Sequence, residues 1–347
     1  MIKPFQKRIL YLLIIITLFL QTGCLRQTSS SQLHVVNGAT MGTTYSVKIL
    51  KSDVERSGVE NSKLETGIDS TLQALNQQMS TYIDSSEISL FNRWQQTDWF
   101  PISPDFARVL EQALQISRES EGAFDITVEP LVNLWGFGPE KREVLVPTEE
   151  EITARKKLVG YHHLSVRHSP PAVKKDLPGV QCDLGAIAKG YAVDKIAEYL
   201  DSLNLSNYMV EIGGEIRTRG KNANGKPWRI GIATPEEIVD VYKVLPLSNI
   251  GIATSGDYRN YFEKDGVRYS HTIDPQTGRP ITHKLASVSV VHPSCMVADA
   301  FATAIDVMGP EKGYQFALQK ELPVFMIVRE KNNFAEKVTP QFEQMFK

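Results

Sequence analysis

The sequence predicts an α+β fold, a mixed α/β body of two lobes in which helices flank mixed sheets. Two kinds of periodicity support this prediction. Apolar residues recur at helical spacing over residues 64–79, whereas residues 228–232 alternate as in a half-buried strand. The dipeptide Asp265-Gly266 favours a tight hairpin turn late in the chain. Helices are therefore expected early in the chain, and strands in its middle and late regions.

The composition is that of an ordinary soluble enzyme. The 347 residues include 42% hydrophobic and 22% charged residues, which excludes the disordered and fibrous classes. Formal net charge is -2 and the body has no long Lys/Arg block, so the electrostatic footprint of a nucleic-acid binder is missing. Cys182 and Cys295 are too few for a disulfide framework. Two buried thiols are preferred to a single disulfide.

The first 24 residues have the pattern of an export signal. Basic residues precede an apolar run from Ile9 to Leu20 that is too short to span a bilayer comfortably. Cys24 follows this run directly after a glycine, as in the lipobox of bacterial lipoproteins. A glutamine stands where the lipobox usually has Leu, so a plain secretory signal is the alternative. We expect a lipoprotein signal peptide over residues 1–24, a flexible tether over 25–35 and the catalytic domain over 36–347.

Three further helices follow from capping and breaker signals. One begins at the Ser-Pro-Asp of residues 103–105 and ends before Gly122. Another runs over residues 183–200, with Asp183 as its N-cap. The last runs over about residues 297–308, stops at Gly309-Pro310 and precedes a final strand near residues 324–328.

The last predicted helix carries a candidate metal site. Asp299, Thr303 and Asp306 fall within a narrow arc opposite an apolar stripe. A carboxylate and a hydroxyl one turn apart suit Mg²⁺, which prefers oxygen ligands and keeps water or substrate phosphate in its shell. The pattern alone favours a simpler interpretation, a solvated polar face.

Two other segments suggest phosphate chemistry. Small residues over 182–190 stand where a helix begins, with Lys189 one turn in, so free backbone N–H groups would attract a phosphate. Tight helix packing is the alternative there. His271 lies between a predicted strand and a turn, where it could take a proton from an attacking hydroxyl or simply hydrogen-bond the turn. No nucleophile elbow surrounds Ser255, so acyl transfer is unsupported.

Eight segments, taken in order, resemble the FAD:protein FMN transferase family, known as ApbE. The resemblance covers essentially the whole mature chain. It implies an ApbE-like body that binds FAD in a cleft, with Mg²⁺ bridging the protein and the pyrophosphate. The matching segments are residues 40–43, 122–128, 134–138, 183–191, 213–214, 253–258, 271–280 and 299–303.

The resemblance also implies which residues form the site. Asp299, Thr303 and the backbone carbonyl of Ala186 would hold the metal, and Ala302 stands where some members have a second acidic residue. His271 would assist deprotonation of the acceptor, with Asp257 orienting it or forming part of the acceptor groove. The residues that would line FAD are Met41, Tyr82, Ala123, Phe124, Asp125, Asp183, Lys189 and Ile273.

The activity implied by the resemblance is attack of an acceptor threonine hydroxyl on the FMN phosphorus of FAD, with departure of AMP. Acceptors would be subunits of sodium-pumping NADH:quinone reductase or the related electron-transport complex. We therefore expect a lipid-anchored body at the inner membrane, facing the periplasm. Leu25 lacks the Asp associated with inner-membrane retention, so the outer membrane is the alternative. Two alternatives stay open: an FAD pyrophosphatase, in which water attacks, and a non-catalytic FAD-binding lipoprotein.

Overall fold

Strands and helices alternate along the computed structural model, which describes residues 32–140, 146–235, 240–256, 260–331 and 333–347. The predicted Cys24 and Asp257 lie outside these ranges. The strands are β1 (Leu33–Thr40), β2 (Thr43–Leu50), β3 (Phe100–Pro101), β4 (Leu164–His168), β5 (Pro171–Lys175), β6 (Tyr208–Ile212), β7 (Glu215–Arg219), β8 (Trp228–Ala233), β9 (Val241–Leu247), β10 (Gly251–Gly256), β11 (Tyr261–Lys264), β12 (Val267–Ser270), β13 (Ile273–Asp274), β14 (Arg279–Pro280), β15 (Leu285–His292), β16 (Val324–Arg329) and β17 (Phe334–Val338).

The α-helices in the described ranges complete the predicted mixed α/β architecture, which is confirmed. Short 3₁₀ turns cover Ile126–Val128 and Tyr161–His163. The α-helices are α1 (Lys51–Ser57), α2 (Asn61–Met79), α3 (Glu87–Arg93), α4 (Pro104–Glu119), α5 (Glu129–Leu134), α6 (Glu149–Lys156), α7 (Ala188–Ser202), α8 (Cys295–Gln319) and α9 (Pro340–Met345).

One large sheet organises the fold, with the strand order β1-β2-β6-β7-β10-β15-β16-β17. Smaller sheets are formed by β3-β5-β4, β8-β9, β11-β12 and β13-β14. Every pairing in the described part of the chain is antiparallel, so helices mix with sheets that are each antiparallel. The predicted hairpin turn at Asp265-Gly266 joins β11 to β12, with both residues at positive φ.

The two faces of the large sheet are covered differently, within one compact unit that spans Leu33–Lys347. The main apolar core lies under α2, α4, α7 and α8, whereas a second core lies under the β8-β9 hairpin and α9. Ile252 belongs to the second core and Ala253 to the first, because successive strand side chains point to opposite faces. No helix of the described ranges is long and apolar enough to cross a bilayer.

Two of the predicted helices start or end differently in the structure. The Ser103 hydroxyl caps α4 as expected, accepting from the Phe106 N–H at 3.3 Å. Asp183, however, is not the N-cap of α7, which begins only at Ala188. The Asp183 carboxylate accepts from the Gly185 N–H at 2.7 Å in a turn ahead of the helix. The same short side chain that favours N-caps also favours such turns.

The helix predicted to stop at Gly309-Pro310 continues beyond it. Gly309 breaks the helical backbone (φ 77°, ψ -179°), and α8 then resumes and extends to Gln319. Proline is tolerated in a first helical turn because its missing N–H has no intrahelical partner there. The prediction of a stop was therefore right about the break and wrong about the end of the helix.

We expect Gly309→Ala to destabilise the protein by about 1–3 kcal/mol, since this backbone conformation is essentially restricted to glycine. An added Cβ would also lie 2.8 Å from the His283 ring. Gly58 is the matched control, because it has a left-handed backbone (φ 69°, ψ 10°) but open space around its Cβ position. Urea unfolding of both variants checks this, and equal costs would contradict it.

Candidate active site

A cavity of about 370 Å³ lies where the start of α7, the first half of α8 and the end of β10 meet. Side chains from β7, from the segment after β12 and from α5 complete its walls. The structure therefore brings together residues from Val128 to Thr303, which are far apart in the chain. The predicted site residues that line it are Asp183, Ala186, Lys189, His271, Ile273, Asp299 and Thr303.

The close approach of α7 and α8 depends on Gly190. A Cβ at this position would meet the Cys295 carbonyl oxygen at 2.4 Å and the Asp299 Cβ at 2.8 Å. The Gly190 N–H instead donates to the Asp299 carboxylate at 3.0 Å. Asp299 is consequently 5% exposed and Asp306 is fully buried, so the interpretation of this helix face as a solvated surface was wrong.

Three charged side chains meet at this helix contact. The Lys189 ammonium lies 3.5 Å from Glu215 Oε1 and 3.8 Å from Asp299 Oδ2, and it donates to the Gly185 carbonyl at 2.9 Å. Burial raises the pKa of Asp299 and raises that of Glu215 to about 8, although Lys189 opposes both shifts. Burial acts to lower the pKa of Lys189, but Asp299 and Glu215 raise it overall. Lys189 therefore remains cationic.

Sequence reasoning missed Glu215. Its side chain is 3% exposed and lines the cavity, directly after the Gly213-Gly214 turn that joins β6 to β7. The only local signal was the position of Glu215 directly after these two glycines. The resemblance to the family included the glycines but not Glu215.

The residues predicted to hold a cation offer oxygen donors at one place. Asp299, Thr303 and Ala186 line the same cavity, and Glu215 Oε2 is buried without a hydrogen-bond partner among the described residues. Ala302 is fully buried in the core and contributes nothing to the cavity. In the described ranges no three His, Cys, Asp or Glu side chains form a metal-binding group. The donor set thus fits a hard cation that completes its shell with water or phosphate.

His271 is oriented by the main chain of Asn260. The Asn260 carbonyl lies 3.0 Å from His271 Nδ1 and also accepts from the His271 N–H at 3.1 Å. Since a carbonyl only accepts, Nδ1 carries the hydrogen and Nε2 carries the basic lone pair. The Phe137 ring stands edge-on to the imidazole with ring centroids 6.4 Å apart.

The loop that carries Asp183 and Ala186 is held by a buried polar bracket. The Asn92 amide donates to the Cys182 carbonyl at 2.8 Å and accepts from the Cys182 N–H at 2.7 Å. The fully buried Lys175 ammonium donates to the carbonyls of Phe91, Asn92 and Val180 at 3.1, 3.3 and 2.9 Å. Lys175 thus joins the end of α3 to the segment at Val180 that leads to the cavity residue Asp183. Sequence reasoning missed both residues of this bracket.

Of the other residues predicted to line FAD, two lie close to the cavity. Tyr82 is 71% exposed, and its hydroxyl donates to the carbonyl of the cavity residue Phe137 at 3.3 Å. Met41 occupies the turn between β1 and β2, and the strand after that turn accepts a hydrogen bond from the N–H of the cavity residue Gly213.

The segment Ala123 to Asp125 lies outside this cavity. Ala123 lines a neighbouring cavity of about 690 Å³ together with Asp274, which follows Ile273 in the chain. The Phe124 side chain is buried in the main core. The Asp125 carboxylate accepts from Thr127 N–H at 2.8 Å and from Tyr161 N–H at 2.7 Å, so its oxygens already bind the protein.

Cys182 and Cys295 are both buried free thiols, as preferred from the sequence. Burial raises the pKa of each thiol. Neither lines the cavity, so they belong to the packing around it.

A lysine, oxygen donors for a cation and an oriented histidine around one cavity define an enzyme of the phosphoryl-group-transfer class. The chain belongs to the ApbE family, whose family model matches residues 41–326. It is 46% identical to the FAD:protein FMN transferase of Vibrio cholerae over 96% of this chain and 98% of that protein. It is 41% identical to that of Escherichia coli K12 over 91% of this chain and 90% of that protein.

Solved structures agree with this assignment. The flavin transferase ApbE from Vibrio cholerae matches with a TM-score of 0.84 at 44% identity, over 91% of this chain and all of that one. The apo flavinyl transferase ApbE from Pseudomonas stutzeri matches with a TM-score of 0.83 at 40% identity, over 91% and 97% of the two chains.

We expect Lys175→Met to lower the free energy of unfolding by roughly 3 kcal/mol, because three buried carbonyl oxygens would lose their donor. Lys174→Met is the control, since this half-exposed neighbour lies on the same strand. Denaturant unfolding of the two variants measures the difference. A loss no larger than that of the control would show that the bracket contributes little.

Proposed function

We propose that this chain transfers FMN from FAD to a threonine hydroxyl of an acceptor protein through a phosphodiester bond and releases AMP. The observation that supports this most directly is the convergence of Lys189, Asp299 and His271 on one cavity in a chain of the ApbE family. The relatives named above are FAD:protein FMN transferases over nearly their whole length. The same reaction class therefore suits this chain.

In the proposed reaction, Nε2 of His271 takes the proton of the threonine hydroxyl. The threonine oxygen forms a bond to the FMN phosphorus, the pyrophosphate P–O bond breaks, and AMP leaves with the electron pair of that bond. The Lys189 ammonium neutralises charge on the phosphate oxygens. Most of the rate enhancement then comes from positioning and charge neutralisation, as in other phosphoryl transfers.

A magnesium ion is part of the proposal. Asp299, Thr303 and the Ala186 carbonyl would hold it, with Glu215 as a nearby buried carboxyl. When bound, Mg²⁺ would stabilise the negative charge of the pyrophosphate. The carboxyl oxygens support this part of the proposal, because Asp299 and Glu215 face the Lys189 ammonium where the anionic ligand is proposed to bind.

The acceptor and the location are further parts of the proposal. Acceptors would be flavoprotein subunits of sodium-pumping NADH:quinone reductase or the related electron-transport complex. Lipidation at Cys24 would hold the catalytic body at the periplasmic face of the inner membrane, because several acyl chains anchor a protein firmly. Intact mass of the membrane-extracted chain before and after Cys24→Ala tests the lipidation.

The transfer is tested by incubating the full-length chain in detergent with FAD, Mg²⁺ and an acceptor domain. We expect the intact mass of the acceptor to rise by one FMN unit, AMP to appear, and EDTA to suppress both. Asp299→Asn should reduce the rate by at least tenfold. Free FMN and AMP without acceptor labelling would indicate a pyrophosphatase, and FAD recovered intact would indicate a carrier.

We expect His271→Ala to slow transfer by about 10²–10⁴-fold while FAD binds with nearly unchanged affinity, because general-base assistance acts on the acceptor. Flavin fluorescence quenching measures the binding and acceptor mass measures the transfer. His283→Ala is the control, since His283 bonds the Asp306 carbonyl and does not line the cavity. A parallel loss of FAD binding in His271→Ala would instead assign His271 a structural role.

A further inference from the structure

Asp183 has an acidic partner that the proposed mechanism does not use. Glu129 opens α5 next to the cavity residue Val128, and its side chain is only 2% exposed. The carboxyl groups of Glu129 and Asp183 lie within hydrogen-bonding reach of each other. Two carboxylates cannot share a hydrogen bond unless one of them carries a proton.

The surroundings of Glu129 indicate which oxygen carries that proton. Oε1 accepts a hydrogen bond from the Asn133 amide at 3.2 Å. Oε2 is buried and has no other hydrogen-bond partner among the described residues. Burial raises the pKa of Asp183, but the Gly185 N–H, which donates to its carboxylate at 2.7 Å, the Lys189 charge and a hydrogen bond from Glu129 all favour the ionised form. Glu129 is thus placed as the donor and Asp183 as the acceptor.

We propose that Glu129 is a positioning residue of the FAD site, whose neutral carboxyl donates to Asp183 and keeps a single negative charge at that end of the cavity. The inference rests on the proposed function, because FAD brings an anionic pyrophosphate into the same cavity. A second negative charge beside Asp183 would repel it. The proton also fixes the direction in which the Asp183 side chain points.

The electrostatics around Glu129 agree with this placement. The pKa of Glu129 is raised to about 9. Burial is the largest cause and the charge of Asp183 the next, whereas the hydrogen bond from Asn133 acts to lower this pKa. Glu140 raises it further, and Tyr82 and Cys182 are the other titratable groups that face Glu129. Each of these charged or titratable neighbours is acidic, so none would stabilise a Glu129 anion. Glu129 therefore stays protonated at neutral pH and ionises only in alkaline solution.

The test compares FAD binding by the full-length protein and by Glu129→Gln, using flavin fluorescence quenching at fixed Mg²⁺ from pH 7 to 9.5. Glutamine keeps a neutral donor of the same shape and cannot ionise. We expect equal affinities at pH 7, and a Kd about fourfold weaker for the wild type than for the variant at pH 9.5 if only the protonated form binds. Glu129→Ala should bind more weakly at every pH, without the extra alkaline loss.

Different outcomes separate the two proposals. Parallel pH profiles for the wild type and Glu129→Gln would overturn the role of Glu129 and leave the transferase intact. A wild-type chain that binds no FAD at any pH would overturn the proposed function and this inference with it. Carbon-13 NMR of the glutamate carboxyls in the wild-type protein gives a check that needs no variant. Two glutamate carboxyls should titrate in alkaline solution, Glu215 near pH 8 and Glu129 near pH 9, and the absence of the second would refute the shared proton.

Discussion

The contact between α7 and α8 at Gly190 is the constraint on which the site depends. With no side chain at this position, the two helices approach until the Gly190 N–H meets the Asp299 carboxylate at 3.0 Å. Lys189, one residue earlier on α7, is carried to the same place and meets Glu215 from β7. One close approach therefore joins the proposed phosphate-binding side of the cavity to its proposed metal-binding side. A larger residue at Gly190 would separate all three charges.

The charges of the side chains around the cavity are the second constraint on the site. More acidic than basic side chains line the cavity, although its proposed ligand is an anion. Lys189 offsets Asp299 and Glu215 at one end. At the other end burial favours the neutral form of Glu129. The remaining negative charge is what Lys189 and the proposed cation would compensate, because burial makes each uncompensated charge costly.

Local sequence signals predicted much of the fold and part of the site. Helical periodicity located α2, and Asp265-Gly266 located a hairpin, since both depend on neighbouring residues alone. Asp183 was misplaced as an N-cap because a turn ahead of the helix uses the same side-chain chemistry. The narrow arc of Asp299 and Thr303 was visible in the sequence, but its burial depends on α7, more than a hundred residues away.

Three of the residues that sequence reasoning missed are titratable side chains that packing has buried. Glu129, Lys175 and Glu215 are only 2%, 0% and 3% exposed. Nothing in a strand or a short helix marks a lysine or glutamate as buried, because long-range packing decides it. The family segments likewise indicated that the Asp183 loop mattered, but not that Asn92 and Lys175 hold it.

The orientation of His271 follows from the same electrostatic argument. A carboxylate partner on Nδ1 would orient the imidazole but would add a full negative charge beside an anionic substrate. The Asn260 carbonyl, at 3.0 Å, fixes the same tautomer with only a partial charge. Because the Asn260 carbonyl also accepts from the His271 N–H, one backbone oxygen holds both the main chain and the ring of His271. At this contact a neutral acceptor orients the base beside the cavity that is proposed to bind the pyrophosphate.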